Sequence, residues 1–409
     1  GFEAVLNGTE FGAFVVHHCQ RLVNDVDGFI NVGGGDRRVS ADGDAGVSTV
    51  GGGEDTITDF SSIDIQANPD KAEDGRVPID VNLELAKRDI YTAGVSYGTE
   101  SGPGIRLGLD RRYVNSRGHK LSTHLDYAQK RKTLLTQYRI PAFKWLDGWY
   151  TVGLQASDEQ TDYIDLRHVE FTGSRSGQVS EDWTAVASIH ALRERWRYVE
   201  NDPLTGLPDT AVQYATFTYP SLRADYTNSP VGSNRPDQLA GSILLRGGVE
   251  GAGSDANFLQ FHMRARWSQQ YKTNSALIVR GEYGHTFTSS LVAMPPSLRF
   301  FAGGDRSIRG YAFREVGPRT PAPDKFALGA KNLVVGSAEY EHYFKGGPWG
   351  AAVFVDTGSA FDNTIDLHTG VGFGVRWKSP VGPVRVDIAH GLNNPDSQFQ
   401  LYLNIGADL

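Results

Sequence analysis

Arg309 stands between Ile308 and the pair Gly310-Tyr311, inside a long loop over residues 300–317. Gly303-Gly304 and Asp305-Arg306 lead into it, and Pro318 and Pro321 follow. A loop of this length is either functional or disordered. Its aromatic content argues against disorder. A guanidinium can hold one carboxylate through two parallel hydrogen bonds, which a lysine cannot do. Two carboxylates qualify as partners. Asp356 shares its alternation phase with Phe354 and Gly358, and Glu339 shares its phase with Ser337 and Glu341. In a partly water-excluded site such a pair counts for more than the ~0–1 kcal/mol of a surface pair. Gly310 suits a positive φ or a close backbone approach. The chemistry on offer is an electrostatic lock, with no bond made or broken. The competing reading leaves Arg309 a solvated loop charge.

Other motifs carry less. Gly94-Val95-Ser96-Tyr97-Gly98 matches the G-x-S-x-G nucleophile elbow, which needs a strand–turn–helix. Ser96 instead falls inside an alternating run, followed by Thr99-Glu100-Ser101-Gly102-Pro103-Gly104. His17-His18-Cys19 lacks a second ligand cluster for a metal, and Asp42-Gly43-Asp44 lacks the other calcium-loop positions. No cofactor site is legible. Trp145, Trp149, Tyr150 and Trp377 read as interfacial aromatics.

The elements that must position Arg309 are strands. In 369–377, Val371, Phe373, Val375 and Trp377 alternate with glycines and Arg376. In 398–405, Phe399, Leu401, Leu403 and Ile405 alternate with Gln400, Tyr402 and Asn404. Period two with one apolar face is the half-buried strand signal. About sixteen such segments run from residue 89 to the end, each roughly long enough to cross a bilayer at a tilt. Arg106, Asp110, Asp126, Glu339, Glu341, Asp356, Arg376, Arg385 and Asp387 share the polar phase. Charges of both signs on one phase suit a polar lumen with a lipid-facing exterior.

Composition agrees. The 409 residues are 39% hydrophobic, with 48 glycines, 17 tyrosines and 20 phenylalanines. Mean hydropathy is −0.36. No apolar run reaches the length of a transmembrane helix. A formal charge of −8 offers no basic footprint for nucleic acid. The lone Cys19 makes no internal disulfide. No leader is legible at Gly1.

Residues 58–87 form a separate piece. Ile63 and Ile65 alternate, a polar loop follows, then Ile79, Val81, Leu83 and Leu85 alternate again. This predicts a hairpin closing a small α/β module. Residues 1–57 are poorly defined. A degraded or disordered segment, a linker and a gene-model artefact all remain open for them.

From about Phe60 to Leu409 the chain resembles the superfamily of outer-membrane assembly factors that join POTRA domains to a 16-stranded barrel. Three motifs carry the resemblance. Phe301-Ala302-Gly303-Gly304-Asp305-Arg306-Ser307-Ile308-Arg309-Gly310-Tyr311 is similar to the loop-6 signature, in a form typical of the TamA type, the outer-membrane subunit of the translocation and assembly module. Gly336-Ser337-Ala338-Glu339-Tyr340 resembles the twelfth-strand motif, and Phe354-Val355-Asp356-Thr357-Gly358 the thirteenth-strand motif. The resemblance implies an all-β fold: a 16-stranded antiparallel transmembrane barrel over 88–409 with an inward-folded long loop, preceded at 58–87 by the hairpin of a truncated α/β POTRA remnant. It implies that Arg309 meets carboxylates on the wall, and that a lateral seam between the first and last strands opens. Gly94, Gly98, Tyr402 and Gly406 lie at that seam; its glycines equally suit a lumen making room for the loop. The expected protein is not an enzyme and binds no cofactor or metal. It sits in the bacterial outer membrane with its N-terminal part in the periplasm. Its expected partners are the lipid bilayer, unfolded outer-membrane proteins, autotransporters especially, and a periplasm-spanning TamB-like protein. The alternatives are a two-partner-secretion transporter, a passive porin and an outer-membrane lipase.

Overall fold

The computed structural model describes residues 28–32, 38–41, 60–67 and 77–85. From residue 87 on it describes all but 99–100, 144, 162–163, 199, 202–207, 210–211, 229–236, 272–273, 321–326, 345–346, 380–381, 394–398 and 406–409. Every regular element among them is a strand apart from a 3-10 turn, Pro296–Leu298.

Four strands make a small sheet: β1 (Gly28–Val32), β2 (Arg38–Ala41), β3 (Phe60–Ala67) and β4 (Val77–Leu85). Their order is β2-β1-β4-β3, with β3 and β4 antiparallel and β1 parallel to β4. β1 and β2 come from the segment where the sequence offered no element. Strands of five and four residues give too few alternations to register. The helical part expected of this α/β piece lies outside the described residues.

The second sheet closes on itself. Its members are β5 (Asp89–Gly98), β6 (Gly102–Arg111), β7 (Lys120–Ala128), β8 (Arg131–Ala142), β9 (Gly148–Gln160), β10 (Ile164–Gln178), β11 (Trp183–Tyr198), β14 (Gln213–Thr227), β15 (Asp237–Gly248), β16 (Phe258–Tyr271), β17 (Ser275–Thr288), β18 (Asn332–Tyr343), β19 (Trp349–Phe361), β20 (His368–Ser379), β21 (Gly382–Gly391) and β22 (Gln400–Ile405). A two-strand ribbon, β12 (Glu200–Asn201) with β13 (Pro208–Asp209), decorates the loop after β11. The sixteen wall strands predicted from period two are all present.

The wall forms because each stave has two unlike faces. On β19, Val353 and Val355 point outward and stay 56% and 43% exposed, while Phe354 between them and Asp356 beyond are buried on the lumen side. On β20, Phe373 and Val375 face out, and Arg376 faces in, buried. Closure pairs the backbone groups that an open sheet would leave bare. The inner face is not polar throughout. Leu192, Trp196, Phe217, Phe258, Met294 and Leu298 form a buried cluster, and Phe300, Ile308, Leu333, Val335 and Ala360 form another. Both lie where the 289–331 loop returns against the wall, so the loop takes the place of water there. Sequence phase alone could not separate a wet inner face from a plugged one.

Candidate functional site

The 289–331 loop joins β17 to β18 and is tied down in steps. Arg299 gathers its base: the guanidinium donates to the carbonyls of Met294 (2.6 and 2.8 Å), Leu328 (2.8 Å) and Val292 (3.1 Å). Burial lowers the Arg299 pKa from its ordinary value. The sequence reading did not single out this residue. Phe300 then bridges to Ala330, and Ala302 to Val316. The Gly304 N–H donates to the carbonyls of Tyr311 (3.1 Å) and Ile308 (3.3 Å), which folds the tip into a tight unit. Gly303, Gly304 and Gly310 all take positive φ, at 100°, 104° and 97°. Arg306 is exposed and Asp305 half-buried at the turn, while Ile308 and Tyr311 are fully buried.

Arg309 lies at the centre, 3% exposed. Its Nε and Nη2 donate to the two oxygens of Asp356 at 2.7 and 3.0 Å, the bidentate fork expected of an arginine. Nη1 donates to Glu339 at 2.6 Å and to Asp387 at 3.3 Å. The Arg309 backbone N–H adds a bond to Asp356 (3.1 Å), and the guanidinium carbon lies 3.4 Å from the centroid of the Phe354 ring. Burial opposes the charge, but the hydrogen bonds donated to Asp356 and the fields of Asp356 and Glu339 outweigh it and raise the Arg309 pKa. The arginine is permanently cationic.

A second arginine completes the cluster. Arg376, 1% exposed, donates to Glu339 (2.6 Å), Glu341 (2.7 Å) and Asp387. Glu339 and Asp387 therefore each bind both arginines. Arg376, Glu341 and Asp387 sit on the polar phase read from the sequence; that Arg376 shares Glu339 and Asp387 with Arg309 depends on the register of β18 to β21, which sequence does not give. Two arginines and four carboxylates leave an anionic excess, and Arg280 approaches Asp356 to 3.9 Å.

The wall is shaped to admit this tip. Gly370, Gly372 and Gly374 alternate on the inner face of β20. A methyl group on Gly370 would overlap the Arg309 carbonyl, one on Gly372 the Phe354 ring, and one on Gly374 the Asp387 carboxylate. Gly358 is equally confined, against the Val334 carbonyl.

The residues expected at the seam separate. Gly98 pairs with Asn404, the one register pair recorded between β5 and β22 among the described residues. By contrast β10 and β11 pair along their full length, from Ile164↔Tyr198 to Gln178↔Thr184. Gly94 has no atom within 4 Å of where a Cβ would stand, so the loop does not press on it. Tyr402 turns to the loop: its hydroxyl donates to the Tyr311 carbonyl and accepts the Gly310 N–H. Gly406 lies outside the described residues, as do His17-His18-Cys19 and Asp42-Gly43-Asp44.

Ser96 falls within β5, so the nucleophile-elbow geometry is absent. The lumen does hold one Ser-His-Glu chain. His190 Nε2 lies 3.0 Å from Ser221 Oγ, and Nδ1 lies 3.0 Å from Glu170. Ser221 is mid-strand, paired to β11 and β15 on either side, so neighbouring N–H groups serve the ladder rather than an oxyanion hole. Among the described residues no group of three or more His, Cys, Asp or Glu is arranged to hold a metal ion.

Comparison with known proteins places this geometry. The chain is 24% identical over 341 residues to "Outer membrane protein assembly factor BamA" of Nitratidesulfovibrio vulgaris, covering 80% of this chain and 42% of that one. The chain thus spans under half the length of that curated relative. The crystal structure of BamA from Haemophilus ducreyi lacking POTRA domains 1–3 superimposes with a TM-score of 0.70 at 16% identity, covering 86% of this chain and 76% of that one. CdiB from Acinetobacter baumannii superimposes at 0.58 with 14% identity, covering 86% and 66%. Residues 114–408 match the Omp85 superfamily domain, and the chain belongs to the Omp85 superfamily.

Proposed function

We infer that this chain is the membrane-embedded part of a factor that assembles other β-barrel proteins in the bacterial outer membrane, where the family resides. The observation that carries this is the seam. Among the described residues β5 and β22 meet through the single pair Gly98↔Asn404, whereas β10 with β11 and β16 with β17 pair along their lengths. A seam that parts bares N–H and C=O groups, which template an incoming strand. The work then needs no nucleotide, cofactor or chemical step. The buried Arg309 cluster holds the loop while the edges exchange partners.

The substrates on this reading are unfolded outer-membrane proteins, autotransporters especially, as befits a TamA-type loop. A periplasm-spanning TamB-like protein would deliver them. The sheet of β1–β4 would be a POTRA remnant on the periplasmic side. A passive porin is disfavoured by a loop anchored on the wall through Arg309, Gly310 and Tyr311. The test is reconstitution in vesicles with a urea-unfolded autotransporter barrel. Faster folding than in protein-free vesicles supports the reading; equal rates sink it.

A further inference from the structure

The upper half of β11 inverts the alternation found elsewhere on the wall. Leu192 and Trp196 face the lumen, buried, with Glu194 between them. Arg193, Arg195 and Arg197 face outward, where Trp183, Ala185, Ala187, Ile189 and Ala191 lie lower on the same strand. The neighbouring β10 repeats the pattern: Phe171 and Val169 are outward and exposed, and Arg167 follows above them. These strand ends lie at the same end of the barrel as the 289–331 loop, opposite the end where the chain enters at β5.

The height of the arginines follows from strand geometry. Trp183 to Arg193 is ten residues, about 33 Å along a strand and about 25 Å vertically at a 40° tilt. The apolar girdle of such barrels is about 25 Å tall. The arginines thus begin where the hydrocarbon ends, at the level of the outer-leaflet headgroups.

Their arrangement asks for an anion. Arg167 and Arg195 stand directly opposite each other in the ladder. Like charges in that position destabilise a sheet. Asp158 lies 3.4 Å from Arg167, and Asp165 pairs with Arg197. Arg193 donates to the Thr216 hydroxyl and lies 5.3 Å from the Tyr214 ring centroid. The Asp255 carboxylate is taken by the Thr216 N–H at 2.6 Å. Among the described residues neither Arg193 nor Arg195 has a carboxylate within ion-pair distance, on a chain whose net charge is −8. A phosphate monoester between Arg167 and Arg195, within reach of Arg193, would turn repulsion into charge-assisted hydrogen bonds. Acyl chains of the same molecule would lie on Phe171, Val169 and Ile189 below. We propose that Arg167, Arg193 and Arg195 form a binding site for the phosphate of a phosphorylated glycolipid in the outer leaflet.

The test uses the full chain in phosphatidylcholine nanodiscs doped with diphosphoryl lipid A or its dephosphorylated counterpart. Native mass spectrometry reads the lipid retained on the barrel after extraction. The wild-type chain should retain the phosphorylated lipid over the dephosphorylated one. Arg195→Gln with Arg193→Gln should cut that retention by about tenfold or more. Heat-modifiable migration on gels checks that the variant barrel is closed. Excess inorganic phosphate should not displace the lipid. Equal retention of the two lipids, equal retention by the closed variant barrel, or displacement by free phosphate would each overturn the assignment.

Discussion

Tyr402, on the last wall strand, is bonded twice to the backbone beside Tyr311. Its hydroxyl donates to the Tyr311 carbonyl at 2.7 Å and accepts the Gly310 N–H at 3.0 Å. β22 therefore carries both the loop anchor and, two residues on at Asn404, the recorded contact to β5. Whatever parts the first and last strands also pulls on the loop. Tyr402→Phe keeps the ring and removes both bonds. Each is worth about 0.5–1.5 kcal/mol; the buried Gly310 N–H is left unpaired, while the Tyr311 carbonyl keeps its bond from the Gly304 N–H. We expect a closed barrel whose 300–317 segment is cleaved faster by protease; cleavage at the wild-type rate would refute the coupling.

Arg309→Lys should behave more like Arg309→Ala than like the wild type. A lysine cannot fork onto Asp356 while also reaching Glu339 and Asp387. Emptying the position leaves buried carboxylates with Arg376 as the one remaining fully buried arginine among them. Breaking a buried ion pair from one side costs about 3–5 kcal/mol. The expected result is a barrel that assembles but unfolds at a lower temperature and supports substrate folding poorly. A lysine variant with unchanged melting would show that charge alone suffices.

Gly310→Ala tests shape without touching charge. At φ 97° an added Cβ would lie 2.7 Å from both the His390 carbonyl carbon and the Gly391 nitrogen. We expect the loop to lift from β21 and to mimic Arg309→Ala in protease sensitivity. A loop as protected as in the wild type would show that the wall yields.

Gly98→Cys with Asn404→Cys places a disulfide across the recorded seam pair. Oxidised barrels should lose substrate folding, and reduction should restore it. Full activity when oxidised would rule out lateral opening between β5 and β22.

Much of this fold is legible in the sequence. Period two on β20 and β22 marks strands and faces directly, and the polar phase of Glu339 and Asp356 allows the contact with Arg309 that the family resemblance implies. Three things were not legible. The Arg376 bridge to the same carboxylates depends on the register of β18, β20 and β21, and register is a long-range property. The apolar inner patch around Trp196 and Phe217 broke the polar-in rule because the loop covers it, a tertiary effect. Tyr402 read as a seam residue from its strand; only the path of the loop shows its hydroxyl facing Gly310.

The inner face of β20 is bare at Gly370, Gly372 and Gly374, and that bareness bears on how fast the loop can come and go. Where Gly370 meets the Arg309 carbonyl, the wall has no side chain of its own to swing aside when the tip departs. Reseating is then a matter of docking the tip into a fixed mould, and exit requires cutting the guanidinium contacts together with the Tyr402 bonds. The lock is stiff in its holding energy yet simple in its motion, so its kinetics should respond to ionic substitutions far more than to changes in the surrounding greasy wall.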